Sequence, residues 1–306
     1  ALKGALEYPY GCAEQTTSKG YAALELDAGT AQRFGVTGLT PEQRRARMDG
    51  AFGRLASMQL GNGHFSMWGN DDNADPQLTP YIVDFLLDAR QAGFAVPDGV
   101  LQKALQRLNE DLLSGGSGFY GRDHREYLQF AYKAYAGYVL ARVNRAPLGT
   151  LRSVYDNDRK HALKGLPLVQ LGLALAMQGD KQRGEKAIAD GFAFKGDRQG
   201  WLGDYGSPLR DAALMIAITH ERGYSKPAYD AKVIELGREL EARRAASPWL
   251  WLSTQEQIAL ARLGKALLVS QTKLVSGTLT SAGANEAIAA SKGFSRELDY
   301  AALAKG

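Results

Sequence analysis

Residues 75–89 read Asp75-Pro76-Gln77-Leu78-Thr79-Pro80-Tyr81-Ile82-Val83-Asp84-Phe85-Leu86-Leu87-Asp88-Ala89. Asp75-Pro76 opens a helical segment. Tyr81, Phe85 and Asp88 recur at helical spacing on one face, and Ile82, Leu86 and Ala89 on the face beside it. Both faces are largely apolar. A surface helix carries one apolar stripe, so this helix must be covered on more than one side.

The surrounding chain supplies the cover. An irregular aromatic loop, Phe65-Ser66-Met67-Trp68-Gly69, precedes this helix. The same order returns twice: Trp201-Leu202-Gly203-Asp204-Tyr205-Gly206 runs into Ser207-Pro208-Leu209-Arg210, and Trp249-Leu250-Trp251-Leu252 into Ser253-Thr254-Gln255. A loose repeat of helical hairpins explains this, because one hairpin cannot bury its own apolar face. If the array closes on itself, it makes two concentric rings, the inner one more apolar, with the loops gathered at the two ends. Helices are predicted over 41–60, from 75 onward, and over 97–113, 124–144, 159–178, 180–193, 207–222, 227–245 and 253–268. Thr40 and Gln43 form a capping box for the first of these. Breaks fall at Gly61-Asn62-Gly63, Ser114-Gly115-Gly116, Ala146-Pro147-Leu148-Gly149 and Ala246-Ser247-Pro248. The pattern then changes: Leu274–Thr280 alternates like a strand, and Phe294–Leu298 is a second strand candidate. The chain therefore divides into a helical domain over 1–268 and a β-type segment over 269–306, the expected edge of an adjoining domain.

The 306 residues, 45% hydrophobic and 23% charged, fit a globular protein with a substantial core. No apolar run has the length of a membrane helix, so no membrane contact is expected of this segment. The net charge of +4 is spread along the chain without the dense basic stripe of a nucleic-acid binder. A single cysteine excludes an internal disulfide and any multi-thiolate metal site. Nothing has metal-ligand spacing, and no cofactor is expected. The chain opens in mid-pattern without a secretion signal, which suits a piece of a longer protein.

That cysteine lies in Tyr8-Pro9-Tyr10-Gly11-Cys12-Ala13-Glu14-Gln15. Side chains at i and i+3 meet on the first turn of a helix, so the Cys12 sulfur can reach the Gln15 carboxamide. A thiolate that attacks the carboxamide carbon and expels ammonia leaves an internal thioester, which acylates an arriving amine or hydroxyl. Gly11 permits close approach of the backbone, and Pro9 fixes φ before the turn. Glu14 either positions the ring or handles protons. Tyr8 and Tyr10 are bulky aromatics suited to excluding water from a bond that water would destroy. The plainer alternative is that Cys12 is a small buried hydrophobe, in a toroid that binds partners without covalent chemistry.

Other residues carry weaker signals. His64, after a double-glycine turn, either faces the thioester as a base or gate or is a loop histidine bonded to backbone, the commoner case. His161 and His220 read as helix-face or helix-end residues. Asp71, Asp72 and Asp75 resemble the paired acids of a sugar hydrolase, but a solvated loop with Asp75 as helix cap suits them better. Trp68, Trp201, Trp249 and Trp251 are expected to pack the loops onto the ring ends.

Gly11-Cys12-Ala13-Glu14-Gln15 resembles the thioester motif of the alpha-2-macroglobulin and complement family, and YPYGCAEQTTS its bacterial branch. GHFSMWG with ADPQLTPYIVDFLLDA, GWLGDYGSPLRDAALMIA and WLWLSTQEQIALARL resemble later segments of the same domain, so the likeness runs to about residue 268. The resemblance implies an all-α fold, an α/α toroid of about six helical hairpins. It implies the thioester domain of a larger broad-spectrum protease inhibitor, not an enzyme. In such proteins neighbouring domains hide the thioester until a protease cuts a bait segment, and the exposed bond then captures that protease. Bacterial members imply a periplasmic, lipid-anchored parent. By position, Cys12 and Gln15 match the bonded pair and Tyr8 a shielding aromatic, with Tyr10 closer in sequence. Some members pass the acyl group through a downstream histidine. That position falls near Gly118-Phe119-Tyr120, where no histidine stands, so direct attack by lysine amines of the target is expected and Tyr120 is the residue to consider there.

Overall fold

The computed structural model describes residues 11–33, 37–69, 74–115, 123–196, 202–247, 252–270, 275–281 and 284–290. The helices in chain order are α1 (Ala13–Glu25), α2 (Ala28–Arg33), α3 (Pro41–Met58), α4 (Leu78–Gln91), α5 (Asp98–Ser114), α6 (Arg125–Ala141), α7 (Leu148–Ser153), α8 (Leu166–Met177), α9 (Lys181–Phe192), α10 (Pro208–Glu221), α11 (Pro227–Asp230), α12 (Lys232–Ala246) and α13 (Thr254–Ser270). Strands β1 (Val275–Ser281) and β2 (Ala284–Ala290) follow as an antiparallel hairpin, Val275 opposite Ala290 and Ser281 opposite Ala284. No described helix is long and apolar enough to cross a membrane.

Helices α1, α4, α6, α8, α10 and α13 each pack on the next, and α13 packs back on α1. This closes the ring of an α/α toroid. Helix α3 lies on α1, α5 on α4 and α6, α9 on α8 and α12 on α10. The burial pattern follows from position. Every residue of α8 from Leu166 to Ala176 is buried, whereas its outer partner α9 buries only Gly184, Ala187, Ile188, Gly191 and Phe192. In α4 the two apolar faces read from the sequence are both covered: Tyr81, Ile82, Phe85, Leu86 and Ala89 are all buried.

Local signals set most helix starts. Thr40 and Gln43 form the expected capping box, and Ser207 accepts from the Arg210 amide at 3.1 Å ahead of Pro208. Two expectations need correction, and one strand falls where none was expected. The helix predicted over 159–178 begins only at Leu166, because Pro167 has no N–H to give and is tolerated only in a first turn. The Ala146–Gly149 break contains the start of α7, with Pro147 as its N-cap, followed by a π turn over Val154–Asp158 and a 3₁₀ turn over Arg159–His161. The partner of β1 is Ala284–Ala290, in a stretch rich in alanine with little β propensity of its own; residues 294–298 lie outside the described ones.

Helices α8 and α9 approach through glycine. A Cβ on Gly184 would stand 2.7 Å from the Gly172 carbonyl oxygen and from Ala176 Cβ, and 2.8 Å from the Ala176 amide nitrogen. Two of those atoms are backbone and cannot swing away. Alanine gains about 1 kcal/mol over glycine in a free helix, but overpacking of this kind costs about 1–3 kcal/mol. Gly184→Ala is therefore expected to lower the urea midpoint of unfolding, with an unchanged m-value.

The six inner helices run in the same direction. Their N-termini meet at one end, where Gln77 before α4 donates to the Leu128 carbonyl in α6, Tyr127 of α6 to Asp204 before α10, and Ser207 before α10 to Glu256 in α13. Their C-terminal halves meet at the other end around a buried ion network. There Asp84 pairs with Arg142 and, at 2.9 Å, with Arg262. Asp88 pairs with Arg142 at 2.6 Å, and Arg262 with Glu221 at 2.7 Å.

Candidate functional site

Cys12 is the N-cap of α1, with extended backbone at φ −66° and ψ 167°. The first amides of a helix have no partner within it, and here the two motif residues serve each other. The Gln15 amide points at Cys12 Sγ, 3.5 Å away, and the Cys12 amide donates to Gln15 Oε1 at 3.3 Å. This is a capping box with sulfur in place of the usual hydroxyl. The i, i+3 spacing read from the sequence thus brings the thiol and the carboxamide onto the same turn. The Ala13 amide, a third orphan donor, is taken by the Met67 carbonyl at 2.8 Å, which ties the turn to the 65–69 loop. Thr16 Oγ1 donates back to the Gly11 carbonyl at 3.3 Å, and Thr17 Oγ1 to the Ala13 carbonyl at 2.7 Å. Cys12 is 5% exposed, while Gly11 just before it is open to solvent.

Glu14 points the other way. Its buried carboxylate accepts from Ser18 Oγ at 2.8 Å, from Thr254 Oγ1 at 2.9 Å and from Gln255 Nε2 at 2.8 Å. Ser18 Oγ spends its proton on Glu14, so the Tyr81 hydroxyl 2.9 Å away donates to it. Of the two roles left open for Glu14, these bonds describe positioning. The side chain stitches the first ring helix to the last at the point where the ring closes, and so holds the Cys12 turn in register.

The electrostatics oppose one another. Burial pushes the Cys12 thiol above its ordinary pKa, with the Glu14 charge adding to the rise. The Gln15 and Glu14 amides and the Lys19 ammonium pull it down without reversing it. A thiol at a helix N-terminus is favoured as thiolate, and here burial outweighs that preference.

Tyr205 was not singled out from the sequence beyond its place in an aromatic loop. It holds a left-handed backbone, φ 56°, rare for a non-glycine residue. Its hydroxyl donates to Asp75 Oδ2 at 2.6 Å. Burial, then Asp75, raises its pKa, and the charges of Glu14 and Cys12 add to the rise. Tyr205 is thus a half-buried residue of the second of the three aromatic loops, tied to Asp75 in the turn ahead of α4. The loop repeat was the available signal; which loop met Asp75 depended on closure.

The remaining candidates separate. Tyr8, Tyr10 and Tyr120 lie outside the described residues, as do Asp71, Asp72, Trp201, Trp249 and Trp251. His64 is buried, with Nδ1 2.8 Å from Thr79 Oγ1 and Nε2 3.1 Å from Asp111; its ring bonds join α4 to α5. Asp75 does not cap α4: it accepts from the Gln77 amide at 3.2 Å in the turn ahead of the helix, and Gln77 is the N-cap. Trp68, expected to pack its loop inward, is 54% exposed, because Phe65 and Ser66 take the inward positions. His161 faces Glu126 at 3.2 Å and His220 faces Asp230 at 2.6 Å. Among the described residues no group of three metal-ligating side chains comes together.

Comparison with known proteins bears on this geometry. No family model matches the chain. The chain is 62% identical over all 306 residues to the alpha-2-macroglobulin of Xylella fastidiosa strain Temecula1, covering 19% of that protein. Among solved structures, Salmonella alpha-2-macroglobulin reacted with methylamine aligns over 99% of this chain and 19% of that one, at 36% identity and a TM-score of 0.86. Trypsin-activated alpha-2-macroglobulin from Escherichia coli aligns over 97% of this chain and 20% of that one, at 35% identity and a TM-score of 0.79.

Proposed function

The chain belongs to the alpha-2-macroglobulin family, as a segment spanning about a fifth of the length of the relatives it matches, and we propose that Cys12 and Gln15 form an internal thioester through which a larger protease inhibitor becomes covalently joined to its target. The observation that supports this most directly is the capping box, in which Cys12 Sγ lies on the Gln15 backbone amide and the Gln15 carboxamide oxygen on the Cys12 backbone amide, both side chains on a single helical turn. The sulfur adds to Gln15 Cδ, the C–N bond breaks and ammonia leaves. A lysine amine of the protease then adds to the same carbon, the C–S bond breaks, and the products are an amide and the Cys12 thiol. Each acyl group is used once, so the domain is a single-turnover trap and not an enzyme.

Two relatives support the choice of chemistry. The Salmonella protein is one that has been reacted with methylamine, a minimal primary amine, and the Escherichia coli protein one activated by trypsin. The partners proposed here are accordingly proteases, through their lysines, and the neighbouring domains of the parent. The setting proposed is a periplasmic, lipid-anchored parent protein. Tyr8 and Tyr10 are proposed to keep the bond dry. The uncut parent protein is expected to weigh one ammonia less than its sequence and to incorporate methylamine at Gln15, as read by intact mass and peptide mapping. A parent protein that does not incorporate methylamine would sink the thioester.

A further inference from the structure

The bonds within the Cys12–Gln15 turn are long, 3.3 and 3.5 Å, and those that hold it from outside are shorter. The first turn of a helix frays readily, because its leading amides have no partner within the helix. One outside tie comes from the 65–69 loop, where the Met67 carbonyl takes the Ala13 amide at 2.8 Å. The other comes from the last helix of the ring. Gln255 Nε2 donates to Glu14 at 2.8 Å, and Thr254 Oγ1 to the same carboxylate at 2.9 Å. Glu14 is 6% exposed and Gln255 7%, so water is poorly placed to stand in for their bond. These donors, and Ser18 Oγ with them, are neutral. The charge suits instead the positive helix ends that meet here, since Glu14 lies in the first turn of α1 and Thr254 and Gln255 open α13. Helix α13 also grips α1 further along: Arg262 Nη1 donates to the Tyr21 hydroxyl at 3.4 Å, and Lys265 pairs with Glu25 at 2.7 Å. Those two ties stand toward the far end of the ring, so the Glu14 bonds can be cut without opening it.

We infer that the Cys12–Gln15 pair becomes competent to react only when α13 closes the ring, with Gln255 and Thr254 as positioning residues that act through Glu14. For the reaction it regulates, the inference rests on the thioester proposed above; the setting of the turn does not need the bond. A chain is made from its N-terminus, so the motif precedes its support by 240 residues. Before α13 docks, Ser18 is the partner left to Glu14, and the turn is free to fray. Closure anchors Glu14 while Met67 holds Ala13, which fixes two consecutive residues between the sulfur and the carboxamide. The order has a use: a thioester made on an open ring would meet water before any shielding surface existed.

The test is the fraction of folded parent protein that incorporates methylamine at Gln15, read by peptide mapping. Only folded protein is counted, so a loss of stability alone does not lower it. Gln255→Glu sets a carboxylate against Glu14 and is expected to lower the fraction about tenfold, the scale of a lost hydrogen bond to a charged group. Adding Glu14→Gln exchanges the two partners and is expected to restore it. Glu14→Gln alone is expected to keep the label, because Gln255 can still donate to the new carbonyl and the two hydroxyls can turn. Cys12 alkylation by iodoacetamide is followed in the Gln15→Glu background, where no thioester forms and the thiol is free throughout. There Gln255→Leu is expected to speed alkylation about three- to tenfold, and Thr254→Ser to leave it unchanged. Wild-type parent protein that takes up no methylamine fails the thioester, and the alkylation rates then decide the setting of the turn by themselves. Labelling of Gln255→Glu at the wild-type level overturns the inference. So does an exchange that fails to restore labelling, an unlabelled Glu14→Gln, or an alkylation rate that Gln255→Leu leaves unchanged.

Discussion

The Gln15→Glu parent protein is expected to incorporate no methylamine while folding as wild type does. The substitution keeps the shape and volume of the side chain and replaces its amide nitrogen with oxygen. A carboxylate repels a thiolate and would have to expel an oxide, so the addition that makes the thioester does not occur. The fold has no reason to object. Glutamate is a preferred residue at the third position of a capping box, where it serves the Cys12 amide as Gln15 Oε1 now does at 3.3 Å. Its charge also suits the positive end of α1. Stability is expected within about 0.5 kcal/mol of wild type. The same variant has the composition of the hydrolysed, spent form, so its mass calibrates the loss of the bond in wild type. Cys12→Ala is the complementary loss. It also abolishes labelling but removes the capping sulfur, at a cost of up to about 1 kcal/mol. Labelling that survived Gln15→Glu would place the acyl group elsewhere.

Arg262→Met is expected to cost about 3–5 kcal/mol, the range for breaking a buried ion pair from one side. Arg262 is 3% exposed. It reaches from α13 to Asp84 on α4 at 2.9 Å and to Glu221 on α10 at 2.7 Å, with its guanidinium 5.4 Å from the Tyr21 ring of α1. Four of the six ring helices meet on this one side chain. Methionine fills much of the volume but leaves Asp84 to Arg142 and the Tyr135 hydroxyl, and Glu221 to Arg222 at 3.9 Å. The loss should depend on pH. Burial pushes the Asp84 pKa up, but Arg262 and Arg142 more than reverse this and hold it at about 2. A depressed carboxylate stabilises the fold above its ordinary pKa of about 3.9, and that stability is lost as the pH falls toward the folded value. Glu221 is lowered in the same sense, burial again being outweighed by Arg262. Asp88 is raised by burial and works in the opposite direction. With Arg262 gone, Asp84 and Glu221 lose their main reason to stay ionised. The gap between variant and wild type in urea unfolding should therefore be widest near neutral pH and narrow below about pH 4. An equal gap at both pH values would mean that packing, not charge, carries the effect.

Much of the site was legible because its parts are close in sequence. Cys12 and Gln15 are three residues apart, and a helix turn is a local structure, so their meeting follows from the motif whatever the rest of the chain does. Glu14 shows the limit. The sequence left open whether it positions or moves protons, and the deciding partners, Thr254 and Gln255, lie 240 and 241 residues away. Trp68 shows the opposite error. A large aromatic in a loop was expected to pack inward, but Phe65 and Ser66 filled the space first.

What the sequence by itself determined is periodicity and turn chemistry. These are the doubly apolar faces of α4, the capping box at Thr40, and the placing of Cys12 and Gln15 on one turn at a helix start, within an array of helical hairpins. All of these depend on side chains within a turn or two of one another. Only the tertiary structure decided which helices meet. It brought Arg262 against Asp84 across a separation of 178 residues and Glu14 against the start of α13. It also joined Tyr205 to Asp75 across 130 residues. Closing a ring pairs the first helix with the last, and no local pattern records a contact whose partner is the far end of the chain.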